Sequence, residues 1–243
     1  MPDPTASPAA PADKAGLFDD FIDIFGSPAK VFARRAAASP MLPWLIVSVL
    51  LIGLFFSARS VLQPIIDAEM QKGLEAAMKA NPQLTQEMMD KQRPMMQTFA
   101  SISAVVGMPI ALLILGLATW AVGKIFGGSL TAGTGLLIAC YAWVPRVVAG
   151  VLTDIQGLAM DTTKFTSQHQ LSFGPARFLD PVTTSPALLA ILGRLDVFTL
   201  WTTVLLAIGL VAAGKVAKEK QLLAGATMWL LGSLPALLQA LRS

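Results

Sequence analysis

Cysteine, histidine and tyrosine each occur once in this chain, and charge is scarce. With Cys140 alone, no intramolecular disulfide and no cysteine-pair metal or redox motif can form. The single histidine, His169, falls in a predicted loop with no nucleophile beside it. The sequence has no His-Glu-x-x-His, no Gly-x-Ser-x-Gly and no P-loop. It also lacks the paired membrane carboxylates of an intramembrane aspartyl protease. Catalysis is therefore not expected, and neither a cofactor nor a metal has a motif to hold it. Charged residues make up 14% of the chain, against about 25% in ordinary soluble domains. Eighteen Lys and Arg against fifteen Asp and Glu form no basic face, so the net charge of +3 does not point to nucleic acid. The first residues, MPDPTASPAAPADKAG, lack the charged-then-apolar order of a cleavable signal, so the first apolar segment is expected to insert and stay.

What is present is long apolar runs: 54% of the residues are hydrophobic. Residues 1–16 read as a disordered tail, because Pro, Ala and Asp offer nothing to bury. LFDDFIDIF then places Leu17, Phe18, Phe21, Ile22 and Phe25 on one helical stripe, with Asp19, Asp20 and Asp23 opposite. A lipid-surface anchor normally carries Lys and Arg there, so this helix is expected to pack on protein. After Gly26, Ser27-Pro28 opens a second short helix carrying Lys30, Arg34 and Arg35. Five segments then approach the ~20 residues needed to cross ~30 Å of hydrocarbon. They cover about 41–58, 100–123, 132–152, 197–214 and 221–241. The second and third are joined by a glycine turn, GGSLTAG, and the fourth and fifth by KVAKEK. Residues 59–97 and 153–195 form longer connections. The fold class is thus all-α: a polytopic bundle of five transmembrane helices with short amphipathic helices.

Basic residues near the membrane ends set orientation. Lys30, Arg34 and Arg35 precede the first span, Lys124 sits by the first turn, and Lys215, Lys218 and Lys220 fill the second. Two spans separate each group from the next, so all three fall on one side. The expectation is a cytoplasmic N-terminus and an outside C-terminus, with Trp44 and Trp120 near the cytoplasmic interface.

The third span contains YAWVPRVVAG, where a proline and an arginine sit in an apolar run. Pro145 frees the carbonyl of Tyr141 and is expected to kink the helix there. Arg146 lies about 9 Å from the outer end at ~1.5 Å per residue. It either snorkels to that interface or pairs with an acid at the same depth. Asp196, where the fourth span enters, is the first partner considered, and Asp154 competes. Such a pair fixes packing in one reading and serves transport in another. Met70, Met78, Met88, Met89, Met95 and Met96 cluster in the first long connection. Soft thioethers can hold Cu(I), yet methionine also fills irregular apolar surface, and no Met-x-Met or His-rich tract supports a metal.

Three runs carry a resemblance. They are FGSPAKVF (Phe25 to Phe32), YAWVPR (Tyr141 to Arg146) and ILGRLDVFTLW (Ile191 to Trp201). Over roughly residues 17–241 the chain resembles the Yip family, whose unit is the Yip1 domain, in its bacterial form. The resemblance implies a cytosolic N-terminus, five spans and no catalytic centre, with residues 17–243 forming the membrane domain. Eukaryotic members are adaptors that bind Rab-type GTPases and help shape membranes. The cytosolic tail here is short and a bacterial cell offers no Rab partner, so that activity does not carry over, and no functional residue is transferred. The expected function is a non-enzymatic scaffold or adaptor of the inner membrane, whose partners are the lipid bilayer and other membrane proteins or itself. The alternative is a transporter or channel subunit working through Arg146 and Asp196.

Overall fold

A computed structural model describes residues 16–81, 83, 86–161, 167–180 and 183–240, and these are helical with no strand among them. The expected tail, residues 1–16, lies outside them except for Gly16. Ten α-helices follow one another: α1 (Leu17–Gly26), α2 (Pro28–Arg35), α3 (Met41–Val61), α4 (Gln63–Ala80), α5 (Gln86–Ile125), α6 (Ala132–Ala142), α7 (Val144–Ala159), α8 (Pro186–Gly193), α9 (Val197–Ala212) and α10 (Gln221–Ala240). Short 3-10 turns at Gln168–Leu171 and Pro175–Phe178 shape the connection between α7 and α8.

Among the described residues, three segments are long and apolar enough to cross a bilayer: Met41–Val61, Lys91–Ile125 and Ala132–Ala159. A fourth arises if α8 and α9, bent by 58° at their junction, act together. α10 adds a 20-residue apolar helix. Their surfaces are inverted relative to a soluble bundle. Only 17% and 22% of the first two spans are buried, while Leu45, Val49, Ile110, Ile114, Val204 and Leu230 point outward. So much exposed apolar surface is stable only against lipid. The second span departs from its sequence limits, because α5 runs on from Gln86 through Pro94 and Pro109. The longest part of the expected 59–97 connection is thus α4, and its last part, from Gln86, is the start of a 40-residue helix.

The third span is the axis of the bundle. All residues from Gly135 to Ala142 are buried, which fits a helix that is apolar on every side. α5, α9 and α3 surround α6, while α7 packs along α3. Close approach between α5 and α6 depends on paired glycines. A Cβ at Gly135 would come within 2.5 Å of the Gly116 carbonyl oxygen. The α5–α6 turn is closed by Gly127 at φ +85, with the Gly128 N–H donating to the Gly123 carbonyl at 2.7 Å, a left-handed cap that suits glycine.

That turn meets the α9–α10 turn: Ser129 N–H donates to the Gly214 carbonyl at 3.1 Å, and Lys220 Nζ to the Phe126 carbonyl at 3.3 Å. The α2–α3 link joins them through Thr134 Oγ1 donating to Ala36 O. The three basic groups read from the sequence therefore share one end of the bundle, called here the N-terminal end. The main apolar core, with Phe32, Leu137, Ile138, Tyr141, Leu205 and Leu210, lies in that half. At the far end lies a smaller buried apolar cluster of Leu62, Ile65 and Leu171.

Candidate functional site

Polar side chains gather at two depths. The first group fastens the N-terminal helices. Asp20 on α1 is fully buried. Its Oδ1 accepts from Arg34 Nε at 2.6 Å and its Oδ2 accepts from Arg35 Nε and, at 3.1 Å, from the Tyr141 hydroxyl. Arg34 Nη2 also donates to Asp23 at 2.7 Å. Burial opposes the Arg34 charge, but the bonds to Asp23 and Asp20 and their negative charges outweigh it and hold the guanidinium above its ordinary pKa. α1 does pack on protein, but with an acid at the centre of its contact. The apolar stripe divides: Leu17, Phe21 and Phe25 join the core, whereas Phe18 and Ile22 are 76% and 72% exposed.

The second group lies at the far end, around a cavity of about 390 Å³. The helix of the third span is interrupted at Trp143, and Pro145 follows as the second residue of α7. Arg146 then projects into the cavity wall, where its Nη2 donates to Thr199 Oγ1 on α9 at 2.7 Å. At ~1.5 Å per residue, Arg146 stands about 21 Å along the third span from Ala132. Asp196 is buried and caps α9: Oδ1 accepts the N–H groups of Phe198 and Thr199 at 2.9 and 3.3 Å. Its Oδ2 accepts the Phe173 N–H at 2.8 Å. Gly174 allows this, since a Cβ there would meet the Asp196 backbone at 2.9 Å. Phe173 stacks edge-on against Phe198 at 5.2 Å. Arg146 and Asp196 therefore line the same cavity, each with its direct hydrogen bonds made to other groups. Asp154 is also buried, and its Oδ1 has no partner among the described residues.

Arg194, which sequence reasoning quoted but did not use, completes the wall. Its Nε donates to Ser233 Oγ on α10 at 3.1 Å, and its carbonyl accepts from Trp229 Nε1 at 3.2 Å. Gly232 leaves room for it, as a Cβ there would touch its Nη2 at 2.9 Å. Ser233 stands about 18 Å along α10, so Arg194 and Arg146 lie at similar distances from the N-terminal end of the bundle. The available signal was Gly-Arg-Leu-Asp before an apolar helix: an arginine two residues from an N-cap acid shares its depth. His169 lines the same cavity. Met70 and Met96 line a neighbouring one of about 350 Å³. No three His, Cys, Asp or Glu side chains converge as metal ligands among the described residues.

No curated protein and no solved structure matches the chain. The sequence profile of the Yip1 domain matches residues 22–238, from α1 to the last turns of α10. Together with its apolar, lipid-facing helices, this match makes the chain an integral membrane protein belonging to the Yip1 domain family.

Proposed function

We propose that this protein is a non-enzymatic scaffold or adaptor of the bacterial cytoplasmic membrane. It crosses five times, with its N-terminus in the cytoplasm and its C-terminus outside. The α8–α9 pair counts as one pass and α10 as another. The single observation that carries the reading is the clamped α1. Its buried Asp20 ties it to Arg34, Arg35 and Tyr141, while Phe18 and Ile22 face outward from the same short helix. A rigid helix holding two apolar side chains at the membrane edge is suited to hold a neighbouring membrane protein.

Cross-linking in native membranes, affinity purification and quantitative mass spectrometry test this. The expected result is a stoichiometric partner with the wild type and its loss with Phe18→Ser/Ile22→Ser, at unchanged expression and melting temperature. Recovery of the chain only with itself, or of the same partners with the double variant, defeats the adaptor reading. A second reading, a small-solute transporter, is favoured by the polar cavity around Arg146 and Asp196. Solute flux in proteoliposomes that depends on Arg146 would support it.

A further inference from the structure

Among the described residues, the wall of the far-end cavity sets two guanidinium groups against one carboxylate. Arg146 and Arg194 both line it, and each guanidinium makes one side-chain hydrogen bond to protein among the described residues. A guanidinium has five N–H donors in a planar fork, so most of their capacity is unmet. The carboxylate on the wall is Asp196, and its oxygens already accept three backbone N–H groups. Ser172 also lines the cavity, with a buried hydroxyl that has no partner among the described residues. Two cations, a spare hydroxyl and a committed carboxylate form a receptor for an oxyanion, which guanidinium forks bind through short charge-assisted bonds.

The surroundings specify the rest of the ligand. The cavity of about 350 Å³ beside it shares two wall residues, Leu62 and Gln168. Its other walls are mostly apolar, with Phe55, Ala58, Ile66 and Met70 beside Arg59, Gln63 and Gln97. The segment over both is pinned to α4 by Glu69, which accepts from Ser167 Oγ at 2.9 Å and from the Gln168 backbone and side chain at 2.8 and 3.0 Å. A charged chamber beside a mostly apolar one matches a molecule with an anionic head and a hydrocarbon tail.

We propose that this paired cavity binds an anionic membrane lipid. Its phosphate lies between Arg146 and Arg194, and an acyl chain enters the apolar chamber between α3 and α5. The site is separate from the α1 surface and stands whether or not that surface recruits a partner.

The test uses the full chain purified in detergent and three probes: phosphatidylglycerol, phosphatidylcholine with the same acyl chains, and inorganic phosphate. Lipid retention is read by native mass spectrometry and stabilisation by melting temperature. Phosphatidylglycerol should be retained about tenfold better than phosphatidylcholine, and Arg146→Gln or Arg194→Gln should each remove about that factor. Ala190→Phe, which fills the cavity without removing a charge, should do the same and serves if an arginine variant fails to fold. Stabilisation by inorganic phosphate equal to that by phosphatidylglycerol would keep the oxyanion site but overturn the lipid as its source. Equal retention of both lipids, or retention of phosphatidylglycerol unchanged in all three variants, would overturn the site.

Discussion

Asp20 and Asp23 lie one helical turn apart on α1 and both contact Arg34, yet they should differ sharply on removal. Asp20 is fully buried and meets Arg34, Arg35 and Tyr141, whereas the Asp23 side chain is 44% exposed. Deleting one partner of a buried ionic cluster leaves the others desolvated, while an exposed pair contributes ~0–1 kcal/mol. Arg34 and Arg35 keep 21% and 26% exposure, so water recovers part of the loss. Asp20→Ala should therefore cost about 2–3 kcal/mol and Asp23→Ala under about 1 kcal/mol. Hydrogen exchange over residues 17–26 should rise markedly in the first variant alone, and equal exchange in both would remove the buried cluster as the fastening. This contact was only partly legible. The acidic face of α1 was plain, and so was the mismatch with a lipid anchor. Nothing local indicated that the acid would be the buried edge, because its partner, Tyr141, stands 121 positions away. The same holds for Asp196. Its place before an apolar helix was readable, but Phe173 reaches it through a loop that composition leaves open.

Among elements, unbroken apolar length located the long helices, whether lipid-facing like α3 and α5 or buried on every side like α6. It could not fix where α5 begins, since Met- and Gln-rich sequence continues the helix smoothly past the membrane edge. Glycine carried more than the sequence disclosed, and its role depends on what lies opposite. At Gly135 a Cβ would clash with the Gly116 carbonyl and with Trp120 at 2.5–2.9 Å, whereas at Gly53 nothing lies within 4 Å. Gly135→Ala should therefore separate α5 from α6 and cost about 1–3 kcal/mol. Gly53→Ala relieves backbone entropy in an open helix and should stabilise by up to about 1 kcal/mol. Melting temperatures in one detergent, lower for the first and equal or higher for the second, check both. A reversed order would mean that the α5–α6 contact does not set stability.

For the whole molecule, the number of crossings rests on α9, which at 16 residues is about 24 Å long and shorter than the ~30 Å of hydrocarbon. Alone it falls short; with α8, across a 58° bend, it has the length and apolar composition of a broken span or of a re-entrant loop. A labelling experiment decides between a crossing and a shallow hairpin. Gly214, just after α9, accepts a hydrogen bond from Ser129 in the turn between the second and third spans, so the two turns sit together at one end of the bundle. The wild-type background suits a labelling experiment, because the one cysteine, Cys140, is buried. Single cysteines at exposed Ser129 and Lys218 should both resist a membrane-impermeant thiol reagent added outside intact cells and react after permeabilisation. A cysteine at exposed Thr183, in the connection at the far end, should react without permeabilisation. Labelling of Lys218→Cys from outside while Ser129→Cys stays protected would separate the two turns. It would reduce the protein to fewer crossings, and would place the Arg146–Arg194 cavity beside a re-entrant hairpin instead of between complete spans.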